Sequence, residues 1–193
     1  MEKKEIRTII RQRKKQLSPE ERTTISMKIA ERAFELLREE EATNVALFLS
    51  MPDEVETSYL IQMLGKQGRH TLLVPRVEDE QTIRFYKLQN TQDYQLSGYG
   101  ILEPKDDVSK ALVPEVMIVP GVAFDACGGR VGRGKGYYDR YFELHHDVIR
   151  KKIAIGYQLQ VMEEPLPMEP FDQRMDCLLY TSDACRRLLT CRS

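Results

Sequence analysis

The chain has 193 residues, 41% hydrophobic and 31% charged, the make-up of one globular domain long enough to bury a core and close a cleft. Its 29 basic and 30 acidic side chains leave a net charge of -1, so no global field draws it onto nucleic acid or anionic lipid, and any anion site has to be local. Neither terminus carries an apolar run long enough for a signal peptide or a membrane span, and a cytoplasmic location is the expectation.

The first forty residues predict two helices, one over roughly Lys3 to Gln16 and a second opened by Ser18-Pro19-Glu20-Glu21, which supplies an N-cap, a proline at the first helical position and a capping-box glutamate. In the second helix Ile25, Ile29, Ala33, Leu36 and Leu37 share one face, the spacing of a helix lying on a core. Short apolar runs then follow at Asn44 to Leu49, Thr71 to Val74, Val116 to Val119 and Lys152 to Ile155, each bounded by polar or turn residues as buried parallel strands are. Ile83 to Tyr86 alternates and reads as a more exposed strand. Helical patterns at Thr57 to Lys66 and Tyr137 to Leu144 lie between strands, giving the alternation of an open α/β sheet. The polar stretch from Asn90 to Pro114 reads as a long surface excursion. Residues 1–176 are read as one catalytic domain, and 177–193 as a final strand with a C-terminal tail. Cys127, Cys177, Cys185 and Cys191 show no C-x-x-C spacing and are read as reduced thiols.

In open α/β sheets ligands bind outside the carboxyl ends of the strands, here just after Leu49, Val119 and Ile155. The most informative segment lies in that region. From Gly128 to Gly136, five of the chain's eleven glycines fall within nine residues, interleaved with Arg130, Arg133 and Lys135. Glycines let successive amides curl around an anion, a helix starting near Tyr137 adds its dipole, and three cations supply charge-assisted hydrogen bonds, so the chemistry suits a polyphosphate. Gly129 to Lys135 fits the G-x-x-x-x-G-K part of a P-loop, but Gly136 stands where that motif needs a metal-binding hydroxyl. Asp139, three residues beyond the loop, is therefore the first candidate for holding magnesium.

Gly132-Arg133-Gly134-Lys135-Gly136-Tyr137-Tyr138-Asp139, following Val119 to Asp125, resembles the hallmark of the 5-formyltetrahydrofolate cyclo-ligase family, the 5,10-methenyltetrahydrofolate synthetases. The resemblance continues through Lys3 to Arg7, Ser18 to Arg22, Phe48 to Met51, Asp53 to Thr57 and Pro167 to Asp176, and fades after about Cys177, where the tail departs from the family's usual short ending. It implies a three-layer α/β domain, an open, mostly parallel sheet with helices on both faces. It also implies an ATP- and Mg²⁺-dependent ring closure of 5-formyltetrahydrofolate to 5,10-methenyltetrahydrofolate, with ADP and phosphate released. A formamide oxygen leaves poorly, so the expected route phosphorylates that oxygen and lets N10 attack, a task of positioning and charge neutralisation.

Carried over residue by residue, the resemblance implies ATP against Lys3, Lys4 and Arg7 and against Arg130, Val131, Gly132, Arg133, Gly134, Lys135, Gly136, Tyr137 and Tyr138. It implies magnesium on Asp139 and Asp172, and catalytic roles for Lys135, Arg133 and Tyr137 beside the reacting formyl group. The folate is expected against Leu49, Ser50, Met51 and Glu54 and against Arg133 to Tyr137, with Glu54 accepting from pterin N–H groups; Tyr157 and Gln160 are further lining candidates. The expected partners are thus small molecules, with neither nucleic acid nor membrane, and the expected state is a monomer. Two rivals stand beside this reading: a sugar-phosphate isomerase or coenzyme A transferase relative whose glycine loop binds a phosphate ester, and a nucleic-acid-binding module using the basic first helix. Lys3, Lys4, Arg7 and the two aspartates argue against the first, and the neutral net charge against the second.

Overall fold

A computed structural model of the chain describes residues 1–88, 94–96, 102–104 and 107–180. Helix α1 spans Lys3–Lys14 and α2 spans Pro19–Arg38, separated by the anticipated stop and start: Ser18 Oγ accepts from the Glu21 amide at 3.2 Å, and Glu21 accepts from the Ser18 amide at 2.7 Å. Then come β1 (Asn44–Ala46), α3 (Ser58–Gln67), β2 (Thr71–Val77) and β3 (Ile83–Lys87). The chain continues through β4 (Tyr94–Leu96), β5 (Leu102–Pro104), β6 (Val116–Val119), β7 (Ala123–Asp125), β8 (Arg130–Val131), α4 (Tyr137–Leu144), β9 (Lys151–Ile155), β10 (Val161–Met162) and β11 (Cys177–Leu179).

Six strands form one sheet in the order β11-β9-β6-β1-β2-β3, parallel throughout except for β3, which runs antiparallel along β2 at the edge. Its two faces are legible in the period-two alternation of side chains. Val45, Leu72, Val116, Ile118, Ile153, Ile155 and Cys177 pack against Ile29, Ala33 and Leu37 of α2 and Leu60 and Leu64 of α3. Their neighbours Ala46, Leu73, Met117, Val119, Ala154 and Leu178 face the other way, towards Tyr141 and Phe142 of α4. Each large apolar side chain so buried contributes roughly 1.5–3 kcal/mol, and the result is the mostly parallel, three-layer α/β arrangement.

Three features differ from the sequence reading. The stretch from Val119 to Asp125 ahead of the glycine-rich loop, in which no further strand was expected, breaks at Pro120-Gly121, and residues 123–125 enter a separate three-stranded sheet, β10-β7-β8. Helix α1 stops at Lys14, short of Gln16, and covers neither face of the large sheet. Its buried Ile6 and Ile10 pack instead on Ala123, Val131 and Leu166 of the small-sheet region. Within the expected surface excursion, β4 and β5 pair as an antiparallel hairpin, while residues 89–93, 97–101 and 105–106 lie outside the described residues. The final strand is present as β11; the rest of the tail, from residue 181, with Cys185 and Cys191, lies outside the described residues, and of the other two cysteines Cys127 is exposed and Cys177 buried. Among the described residues no helix is long and apolar enough to cross a membrane.

Candidate active site

The carboxyl ends of β1 and β6 open into a cavity of about 510 Å³, within the size range of small-molecule sites. Its floor is the glycine-rich loop. β8 delivers the chain at Val131, and Gly134 and Gly136 adopt φ of +102° and +68°, conformations that a residue with a Cβ reaches only with strain. Gly136 is the N-cap of α4. The amides of Arg133, Gly134, Lys135 and Gly136 donate to no acceptor among the described residues, which leaves a curl of free N–H groups ahead of a helix N-terminus. The Lys135 ammonium is likewise exposed and without a partner among the described residues.

Other cations here are partly spent. Arg130 is buried; it donates to Asp139 at 2.7 Å and to the Pro120 carbonyl at 3.2 Å, yet its Nε is buried with no partner among the described residues. Arg133 donates to Glu54 at 2.9 and 3.1 Å and to Asp53 at 2.7 Å, tying the loop to the segment after β1. From α1, Arg7 clips the loop by donating Nε to the Gly132 carbonyl at 2.8 Å, and its guanidinium lies over Gly134. Lys3 reaches the far wall, pairing with Glu169 and Asp172 at 2.5 Å each.

Lys3 and Arg7, four residues apart, share the helix face that lines the cavity. Lys4 is exposed and lies outside the lining. Ser50 also lies outside it. Along the extended segment Leu49 and Met51 line the cavity, while Ser50 Oγ accepts from the Thr57 amide at 3.3 Å at the start of α3. Tyr157 and Gln160 form a supporting layer: the Tyr157 hydroxyl donates to the Glu54 carbonyl at 2.8 Å, and Gln160 donates to the carbonyls of Gly121 and Val122. The Tyr137 hydroxyl donates to the Asp79 carbonyl at 3.1 Å, and Tyr137 lines the cavity. Burial, with the charge of Glu54, pushes the Tyr138 phenol well above its ordinary pKa against the pull of Arg130, which keeps that wall uncharged.

All other expected site residues line the cavity: Leu49, Met51, Glu54, Arg130 to Tyr138, Asp139 and Asp172. Asp139 accepts from the Gln173 amide at 3.1 Å as well as from Arg130, which draws the 169–173 segment onto the loop. Among the lining residues that the sequence reading did not assign are Pro75, Val77 and Ile83 from the β2–β3 edge, and Glu169 and Phe171 beside Asp172. Phe171 is exposed at the rim with the Lys3 ammonium 5.6 Å from its ring centre. Nothing local marks these positions; only pairing across the fold brings them to the cavity.

An α/β enzyme with an anion-binding loop at the carboxyl edge of its sheet, faced by two carboxylates, is the class that this geometry defines. The 5-formyltetrahydrofolate cyclo-ligase family model matches residues 1–181, and the chain belongs to that family of ligases. It is 31% identical over 168 residues to the 5-formyltetrahydrofolate cyclo-ligase of Escherichia coli K12, covering 85% of this chain and 92% of that one. Against the mouse protein of the same name the figures are 29% over 190 residues, 92% and 93%. The NMR structure of Aquifex aeolicus 5,10-methenyltetrahydrofolate synthetase superposes with a TM-score of 0.80 at 31% identity, covering 100% of this chain and 96% of that one. The Mycoplasma pneumoniae synthetase, at 23% identity and a TM-score of 0.71 over 92% of this chain and 98% of its own, shares the fold. Family membership sets aside the reading as a sugar-phosphate isomerase or coenzyme A transferase relative.

Proposed function

We propose that the chain closes the ring of 5-formyltetrahydrofolate to 5,10-methenyltetrahydrofolate at the expense of ATP, with the cavity over the glycine loop as the reaction site. The observation that carries this reading is the coincidence, in one cavity, of loop amides and a Lys135 ammonium without partners among the described residues and of two aspartates. The loop amides and Arg7 hold the polyphosphate. Leu49, Met51 and the ring of Tyr138 offer apolar contact to a flat pterin. Glu54, whose second oxygen accepts from the Met51 amide at 3.0 Å, offers acceptor capacity to its N–H edge. The γ-phosphoryl group passes to the formyl oxygen; N10 then attacks the formyl carbon, loses its proton, and the C–O bond breaks with phosphate as leaving group. Lys135 stands where negative charge gathers on the transferring group.

Magnesium fits this donor set. The ion keeps several waters and takes one or two carboxylates together with substrate phosphates, and Asp139 and Asp172 are such a pair on one cavity. Among the described residues no three His, Cys, Asp or Glu side chains gather into a ready-made cage, so nucleotide oxygens would complete the set. When bound, the ion would neutralise charge on the phosphates. Asp139→Asn and Asp172→Asn are each expected to raise the half-saturating magnesium concentration about ten-fold or more. Asp139→Asn should also lower the melting temperature, because it strips charge from the buried pair with Arg130. Unchanged metal titrations in both variants would move the ion to other ligands.

The direct test mixes protein, 5-formyltetrahydrofolate, Mg²⁺ and ATP and follows the absorbance of the methenyl product. One ADP should appear per methenyl group, since the formyl oxygen leaves as phosphate. Product formed at an undiminished rate without nucleotide would overturn the mechanism.

A further inference from the structure

A second cavity of about 110 Å³ adjoins the first behind Arg133, lined by Arg7, Ile10, Arg11, Lys14, Asp53, Val122 and Arg133. At roughly 30 Å³ per water in liquid, it has room for a group of a few heavy atoms. Four cations face it against one carboxylate. Its residues continue the helix face that serves the main cavity, since Lys3, Arg7, Arg11 and Lys14 follow one another at spacings of four, four and three along α1.

The charges in this cavity are under-compensated. Asp53 is shared: one oxygen accepts from Arg133 at 2.7 Å and the other from Lys14 at 3.3 Å. Burial works against it, but Arg133 and Lys14 hold the Asp53 carboxyl below its ordinary range, so it stays charged. The Lys14 side chain is only 6% exposed and has no other partner among the described residues. Burial pulls its ammonium down in spite of Asp53, which is the sign of a cation short of negative charge. Arg11 has no partner among the described residues, and Arg7 uses only its Nε, on Gly132.

We propose that this cavity is a subsite for a small oxyanion, gripped by Arg11 and Lys14 with Arg7 and Arg133 at its mouth. Two sources share that chemistry: free inorganic phosphate, and the acidic end of a ligand whose body lies in the main cavity. The first requires nothing of the reaction proposed above; the second rests on it.

The test is calorimetric titration of inorganic phosphate into the full-length protein at low ionic strength, with Arg11→Gln, Lys14→Met and Lys135→Ala in parallel. Arg11 is exposed, so Arg11→Gln should fold normally, and losing one charge-assisted contact should weaken phosphate about ten-fold. Lys135→Ala should leave this binding in place. Phosphate binding that survives Arg11→Gln and Lys14→Met but vanishes in Lys135→Ala would put the anion in the main cavity and overturn the proposal, as would no binding at all. Repeating the titration with saturating 5-formyltetrahydrofolate or ATP separates the sources. Competition, with a matching rise in that ligand's KM in Arg11→Gln, assigns the site to the ligand's acidic end; undiminished binding assigns it to free phosphate. A protein that binds phosphate here yet makes no methenyl product keeps the subsite and loses the reaction; turnover without phosphate binding does the reverse.

Discussion

Replacing Lys135 with alanine is expected to lower kcat about a hundred-fold while changing the KM for ATP less than about three-fold. Lys135 sits between Gly134 and Gly136, both with positive φ, and its ammonium has no ground-state partner among the described residues. A charge that no carboxylate neutralises is free to act on the charge that builds up as the phosphoryl group moves, and interactions made more strongly in the transition state appear in kcat. Losing one such preorganised group costs about 10²–10³ in kcat; the low end applies here because Lys135 is exposed to solvent that screens it. Exposure also means that circular dichroism and the melting temperature should not move. Arg7→Ala is the contrast. Arg7 grips the loop through the Gly132 carbonyl from a separate helix, so its loss should raise the KM for ATP more than it lowers kcat. The sequence assigned that grip to Lys4 as well, which the structure turns to solvent. A near-normal kcat for Lys135→Ala at saturating ATP would remove the transition-state role.

How much of this was legible in the sequence depended on how local each signal was. The capping box at Ser18 to Glu21 and the glycine run from Gly128 to Gly136 declare themselves within a few residues, because the hydrogen bonds and backbone angles they serve are themselves local. The central strands were legible since burial on both faces demands continuous apolar runs. The small sheet was not: β7, β8 and β10 have three, two and two residues, too short to show a period, and β10 finds β7 only through long-range pairing. The same limit hid part of the site. Arg133 meets Glu54 across 79 residues and Lys3 meets Asp172 across 169, so neither charge balance can be read from a window of sequence. Ser50 and Lys4 lie outside the cavity lining for a simpler reason. Their neighbours do line the cavity, but strand alternation and the turn of the helix point these two side chains away from it.

Asp125→Ala is expected to lower the melting temperature by about 6–12 °C, although Asp125 touches neither the free amides of Arg133 to Gly136 nor the cavity. Its carboxylate is 2% exposed and accepts three backbone amides: Cys127 at 2.7 Å and Gly129 at 2.8 Å on one oxygen, and Leu166 at 2.7 Å on the other. The first two bonds close the β7–β8 turn in the manner of an Asx turn. The third straps the 166 segment across it. Each amide left without an acceptor costs about 1–3 kcal/mol, so alanine should remove about 3 kcal/mol or more, and in a chain of this size each kcal/mol shifts the midpoint by about 2–4 °C. Asparagine should be intermediate: one oxygen can still serve Cys127 and Gly129, but its NH₂ would meet the Leu166 amide donor to donor. The turn has no slack to absorb the loss, because a Cβ at Gly129 would run into the Asp125 carboxylate, and Gly128, at φ +79°, must leave its carbonyl for the Met175 amide at 2.8 Å. That last bond links the turn to the segment carrying Asp172, just as β8 links it to Arg130. Loosening Asp125 should therefore disturb both ends of the proposed metal site, and the variant's magnesium requirement should rise along with its instability. A melting temperature within about 2 °C of the parent would mean that the β7–β8 turn is held by its strand pairing alone.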